Sequence, residues 1–266
     1  MTQTPQAPAT EPQLAGVINF RDLGGLPAAD GRRVRPGALF RSGHLAHATE
    51  EDAVFLDSLG LHTVLDFRND GDIAEEGPDV TLPGVRNLNI PMTDPADGKE
   101  FWRMVREGGP ELLRTELGEG RAAQRMENTY RAMITGKTAE HSRVVHTLAE
   151  GSVPALMHCA AGKDRAGLAI AVTLLALGVP RDAIEADYLE SNAPHRRYRL
   201  RRSAEAGTTP EVQELLSPLF EARTGYLAAA FAALDERWGT TERYLTEGLG
   251  LTDTTRERLR ALLLTD

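Results

Sequence analysis

Apolar positions along the chain change their period several times, and each change marks a candidate element. Val17 to Leu23 and Ala38 to Ser42 are short apolar stretches on either side of the turn-rich Pro27 to Gly37, which predicts strands at the edge of a sheet. Thr49 to Leu59 carries apolar residues at helical intervals behind a Thr49 cap, and Gly60 stops it. His62 to Phe67 and Val85 to Ile90 read as buried strands, the first running into the polar cluster Arg68, Asn69 and Asp70. From Lys99 to Gly136 the texture turns to Glu and Arg, with helical spacing at Phe101, Trp102, Met104 and Val105, then at Met126, Tyr130 and Met133. This predicts an inserted pair of helices, a lid over about residues 97–136.

A short amphipathic helix is expected at His141 to Ala149, a central strand at Val153 to Met157 and a nearly all-apolar, buried helix at Arg165 to Leu177. Further helices follow at Arg181 to Ser191, Pro210 to Leu219, Thr224 to Arg237, Thr240 to Leu245 and Thr252 to Leu264. Strands alternating with helices predict one α/β domain over residues 14–266, with a mostly parallel central sheet flanked by helices. Residues 1–13 are polar and proline-rich and read as a flexible leader without the apolar core of a secretory signal.

Composition narrows the function. With 41% hydrophobic residues in a chain of 266, a substantial core needs no disulfide or metal staple. Cys159 is the one cysteine, so no intramolecular disulfide forms, and a reducing cytoplasm is the expected compartment, with a signal-independent export route as an alternative. The longest apolar run, Leu168 to Leu177, is too short for a membrane helix, which takes about 20 residues. A net charge of −9 argues against nucleic-acid binding while leaving room for a local basic pocket. His44, His47, His62, His141, His146 and His195 show no ligand spacing for a metal.

Candidate chemistry converges where the proposed central strand meets the buried helix. Between them lie His158, Cys159, Ala160, Ala161, Gly162, Lys163, Asp164 and Arg165. Backbone amides of Ala160, Ala161, Gly162 and Lys163, together with the helix N-terminus, form a cradle for a tetrahedral oxyanion. Arg165 can offer two parallel hydrogen bonds to phosphate oxygens, and the same positive surroundings favour a thiolate at Cys159, the nucleophilic form. Lys163 adds a cation at the pocket mouth, His158 orients the loop, and Asp164 is placed to hold the loop or to donate a proton. The bland alternative is a buried cysteine whose spacing to an arginine is coincidental; the strand before it and the apolar helix after it favour the cradle.

At these residues the chain resembles the cysteine-based tyrosine phosphatases, and in particular the bacterial PtpB-like branch, whose loop reads HCxxGKDR. The likeness extends to Asn19 through Gly25, to Leu39 through Ser42, to Asp187 through Leu189 with Ser191 and Asn192, and to Tyr244, Leu245 and Leu249 through Leu251. It implies a cysteine-phosphatase fold with a helical lid and a reaction in which Cys159 takes the phosphoryl group before water releases it, without a metal or other cofactor. It implies phosphotyrosine as substrate, with phosphoserine, phosphothreonine and phosphoinositides as alternatives, and links Lys163 to lipid headgroups. Two departures matter. The hydroxyl residue common after the loop arginine is replaced by Ala166, which predicts slow breakdown of the phosphoenzyme and admits a phosphate-binding pseudoenzyme as a rival. No tryptophan-proline-aspartate loop is present, so the proton donor lies among Asp164, Asp94 and Asp66. Arg21, Asp22, Arg41 and Arg68 stand at strand ends where they can line the site, although surface ion pairs are the expectation for Arg41 and Arg68. Arg196, Arg197, Arg199, Arg201 and Arg202 read as a solvated basic face.

Overall fold

The computed structural model describes residues 12–94, 99–198 and 208–265. Five strands form the central sheet in the order β1 (Arg21–Asp22), β3 (Leu39–Ser42), β6 (Ala155–His158), β4 (Thr63–Asp66) and β5 (Arg86–Asn89). All neighbours are parallel except the β1–β3 pair at one edge. A separate antiparallel pair joins β2 (Arg33–Val34) to β7 (Leu264–Thr265), which takes up Leu264, the last residue of the expected final helix. The Val17 to Leu23 stretch forms only the two-residue strand β1.

Central strand β6 is buried along its whole length. Its side chains alternate between two cores: Ala155 and Met157 join the larger one, Leu156 the smaller one with Phe20, Phe40, Leu56 and Val64. The smaller core is closed by α1 (Glu50–Ser58), which starts on a reciprocal cap between Thr49 and Asp52. On the other face lies α7 (Arg165–Leu177), with every residue after Arg165 buried, as its unbroken apolar run dictates. The helices α6 (Thr138–Ala149) and α8 (Arg181–Leu189) pack beside it.

Three elements depart from expectation. Asp70–Glu76, a polar segment with no buried residue, is a helix, α2, started by a reciprocal Asn69–Asp72 cap. The insertion is three helices, α3 (Lys99–Glu107), α4 (Pro110–Leu117) and α5 (Arg121–Gly136), because Gly108, Gly109 and Pro110, and then Gly118 to Gly120, interrupt it. Of these, α5 is part of the main core: Met126, Tyr130, Met133 and Ile134 are buried, and the helix packs along α10 (Thr224–Trp238) and α9 (Pro210–Phe220). The expected helix at Thr240 to Leu245 is a short α11 (Thr241–Arg243) that widens into a π-turn over Tyr244–Gly248 before α12 (Asp253–Leu263). Among the described residues no helix is long and apolar enough to cross a membrane. Residues 1–11 of the leader, and Arg199, Arg201 and Arg202 of the basic cluster, lie outside the described residues.

Parallel pairing sets Ser42, His158 and Asp66 side by side at the carboxyl ends of three adjacent strands. Ligands of open α/β sheets collect at such ends. Cys159 is the next residue along the middle strand.

Candidate active site

The chain turns from β6 into α7 within residues 159–164, and the turn is held from outside by its carbonyls. The His44 amide donates to the Ala160 carbonyl at 3.2 Å. Asn19 Nδ2 donates to the carbonyls of Ala161 and Gly162 at 3.2 and 3.0 Å, and Arg41 donates to that of Gly162 at 2.7 Å. The amides of residues 160–165 find no protein acceptor among the described residues, which leaves them for an anion. Gly162 makes the turn possible: its φ is +66°, and a Cβ there would lie 2.2 Å from the Ser42 carbonyl oxygen.

Two buried ion-pair networks support this turn. Asp187 of α8 binds Arg21 at 2.8 Å and Arg41 at 2.6 Å. Arg21 also donates to Asn19 Oδ1 at 2.5 Å, so the asparagine that grips the loop is itself fixed. Burial opposes the charge of Asp187, but Arg41 and Arg21 outweigh it and hold the carboxyl below its usual range. Burial and then Arg41 push Arg21 down to about 10, with Asp187 opposing. On the other side, His158 Nε2 lies 2.9 Å from Asp79, and Arg68 lies 3.0 Å from Asp66 and 2.9 Å from Asp79. Arg41 and Arg68 are therefore buried structural ions, 0% and 1% exposed, and not the surface pairs their charge suggested.

Cys159, 2% exposed, and Arg165 line one cleft. The Arg165 guanidinium is held by both oxygens of Asp72 in α2, a residue the sequence reading passed over because its helix carries no apolar pattern. Burial works against the Arg165 charge, yet the Cys159 and Asp72 negative charges overcome it and raise its pKa above the ordinary arginine value. Asp164 also lines the cleft; its Oδ1 accepts from the Tyr130 hydroxyl at 2.7 Å and sits 3.3 Å from Lys163 Nζ. Burial, then Asp164 and Tyr188, raise the Tyr130 pKa, which keeps that hydroxyl a donor.

Lys163 is placed differently from a mouth cation. Its ammonium is buried and donates to the carbonyls of Leu219 at 2.9 Å and Glu221 at 3.0 Å, at the end of α9. The lysine ties the loop to that helix. Asp66 lies behind the loop, engaged by Arg68, and Asp94 is exposed; neither lines the cleft. Arg196 is buried and lines the cleft, whereas Arg197 is exposed and donates to the Asn192 carbonyl, and neither lies in a helix.

The cleft, about 810 Å³ out to its open mouth, has walls that the sequence reading missed. Trp102 of α3 packs on Phe220 of α9, ring centres 6.1 Å apart, and Tyr198 stacks on Phe220 at 6.1 Å. The Tyr198 hydroxyl donates to Glu76 at 2.8 Å. A thiol, a guanidinium and an aromatic cluster thus line one cleft.

Comparison with known proteins agrees with this geometry. A model described as the tyrosine phosphatase family matches residues 12–265. A protein named as a tyrosine-protein phosphatase of Cupriavidus necator is 37% identical over 244 residues, covering 88% of this chain and 82% of that protein. The triple specificity protein phosphatase PtpB of Mycobacterium tuberculosis is 34% identical, covering 95% of this chain and 98% of that protein. The crystal structure of Pseudomonas aeruginosa TpbA aligns over 75% of this chain and 90% of that chain at 18% identity and a TM-score of 0.30, a weak likeness. With the family model spanning nearly the whole chain and PtpB alike from end to end, the protein belongs to the tyrosine phosphatase family.

Proposed function

We propose that this phosphatase acts on protein phosphotyrosine through a cysteinyl-phosphate intermediate. The observation that carries the reading is the shared cleft: Cys159 and Arg165 both line it, together with the aromatic side chains Trp102, Phe220 and Tyr198. The Cys159 thiolate attacks phosphorus as the bond to the phenolic oxygen breaks, while loop amides and Arg165 hold the three remaining oxygens. Asp164 protonates the departing phenolate and then takes a proton from the water that cleaves the sulfur–phosphorus bond. Asp164 suits this role better than Asp72, because both Asp72 oxygens are committed to Arg165 whereas Asp164 Oδ2 makes no hydrogen bond among the described residues.

Phosphotyrosine is favoured over phosphoinositide on two grounds. Aromatic walls suit an aryl ring. Lys163 lines the cleft, but its ammonium donates to Leu219 and Glu221 and lies 3.3 Å from Asp164, partners that compete with a headgroup. The single cysteine, needed as a thiol, suits a reducing cytoplasm.

Phosphotyrosine peptide, phosphoserine peptide and phosphoinositide vesicles offered to wild type and to Cys159→Ser test the proposal. The expected kcat/KM for phosphotyrosine peptide exceeds the others by at least about tenfold, the scale of an apolar pocket contact. Faster phosphoinositide hydrolysis would reverse the preference. Phosphate binding without turnover of any substrate would mark a pseudoenzyme.

A further inference from the structure

Two groups of metal-ligating side chains lie near the loop, and their surroundings differ. In the first, Asp66, Asp79 and His158, the cation is already supplied: the Arg68 guanidinium sits 3.0 Å from one carboxylate and 2.9 Å from the other. In the second, His44, His47 and Glu76, three ligand atoms lie within 4.8 Å of one another, with no arginine or lysine among the described residues paired to the carboxylate. His44 and His47 come from the segment between β3 and α1, and Glu76 from the end of α2.

We propose that His44, His47 and Glu76 form a binding site for a divalent transition-metal ion, with zinc the best match, at the rim of the phosphate cleft. Two imidazoles and one carboxylate are a recognised zinc donor set, and bonds of about 2.0–2.1 Å in a tetrahedron place ligand atoms roughly 3.3 Å apart. His44 Nε2 and Glu76 Oε2 already stand 3.3 Å apart. His47 is exposed, so its ring can swing in to complete the triangle, leaving a fourth position for water.

Local chemistry favours a cation here. His44 is 6% exposed, its Nε2 faces Glu76 and its Nδ1 has no hydrogen-bond partner among the described residues. The Glu76 carboxylate turns Oε2 towards His44 Nε2 and supplies an oxygen donor for a cation. Its other oxygen accepts from Tyr198, the outer-shell bond that fixes a metal-binding carboxylate.

The position gives the site a consequence. The His44 amide holds the Ala160 carbonyl of the phosphate loop, and Glu76 holds the tyrosine stacked on Phe220. A metal joining the two side chains clamps the loop to the aromatic wall.

The test uses the full chain as Cys159→Ser, which removes the thiol that would itself bind zinc, and does not depend on phosphatase activity. Calorimetric titration with zinc is expected to show one ion per chain, and titration with cobalt(II) a tetrahedral visible spectrum without a thiolate band. Adding His47→Ala or Glu76→Gln to that protein should weaken zinc by at least about tenfold, the smaller end of what losing even an outer-shell partner costs. Absence of stoichiometric binding, or binding of unchanged strength in both variants, overturns the proposal.

Discussion

Arg165 and Asp72, 93 positions apart in sequence, meet as an ion pair in the cleft, so the guanidinium proposed to bind phosphate is oriented by a helix other than its own. Asp72 also caps that helix through the Asn69 amide. Asp72→Asn keeps the shape and an acceptor but loses the charge. The expected outcome is a kcat/KM lower by about tenfold to a hundredfold, carried by kcat, as misorientation of a positioning group costs on that order. Unchanged steady-state kinetics would show that Arg165 keeps its place unaided.

Asp164→Asn separates the proton donor from the other acids. With a phosphotyrosine peptide, kcat should fall about 10²–10⁴-fold, the range for general acid–base catalysis. An aryl phosphate with a strongly acidic phenol needs little protonation and should be affected far less. Equal loss on both substrates would assign Asp164 to holding the loop, through Tyr130 and Lys163.

Lys163→Met removes the bonds that tie the loop to the end of α9. Two buried carbonyls lose their donor, and chemical denaturation should show a loss of about 1–3 kcal/mol. Inorganic phosphate should still bind at the wild-type level. A large loss of phosphate affinity with unchanged stability would make Lys163 a direct ligand instead.

His141, buried in α6 beside Tyr244, sets a pH dependence of stability away from the site. Burial lowers its pKa to about 4, with Glu140 opposing. In the unfolded chain it protonates near 6.5. Between those values the unfolded state binds more protons, so stability present above pH ~6.5 declines as pH falls towards ~4, by on the order of 3 kcal/mol. Denaturant melts of wild type and His141→Asn from pH 7 to 4 check this. The variant's profile should be flatter, and parallel profiles would remove His141 as the cause.

What the sequence made legible was local. An apolar run cannot sit in water, so Arg165 to Leu177 announced a buried helix with the bounds observed, and the strand before it placed Cys159. Asp72 was hidden because Asp70–Glu76 has no apolar stripe; its one signal was the Asn69–Asp72 cap spacing. Arg41 and Arg68 looked like surface charges because burial of an arginine depends on carboxylates that the fold brings to it, Asp187 for Arg41 and Asp66 with Asp79 for Arg68. His44, His47 and Glu76 meet only because the end of α2 returns to the loop before α1. The aromatic wall likewise joins α3, the Tyr198 segment and α9, three regions with no common period.

The central claim is that Cys159 forms the bond to phosphorus, and rapid acid quenching of wild type with a phosphotyrosine peptide tests it most directly. Ala166, buried where it offers no hydroxyl, should slow hydrolysis of the intermediate, so a burst of dephosphorylated peptide is expected together with one phosphoryl group on the Cys159 peptide by mass spectrometry. Ala166→Ser should shorten the life of that species, and Cys159→Ser should abolish both signals. Steady release of phosphate with no modified cysteine in wild type, and turnover surviving in Cys159→Ser, would contradict the account.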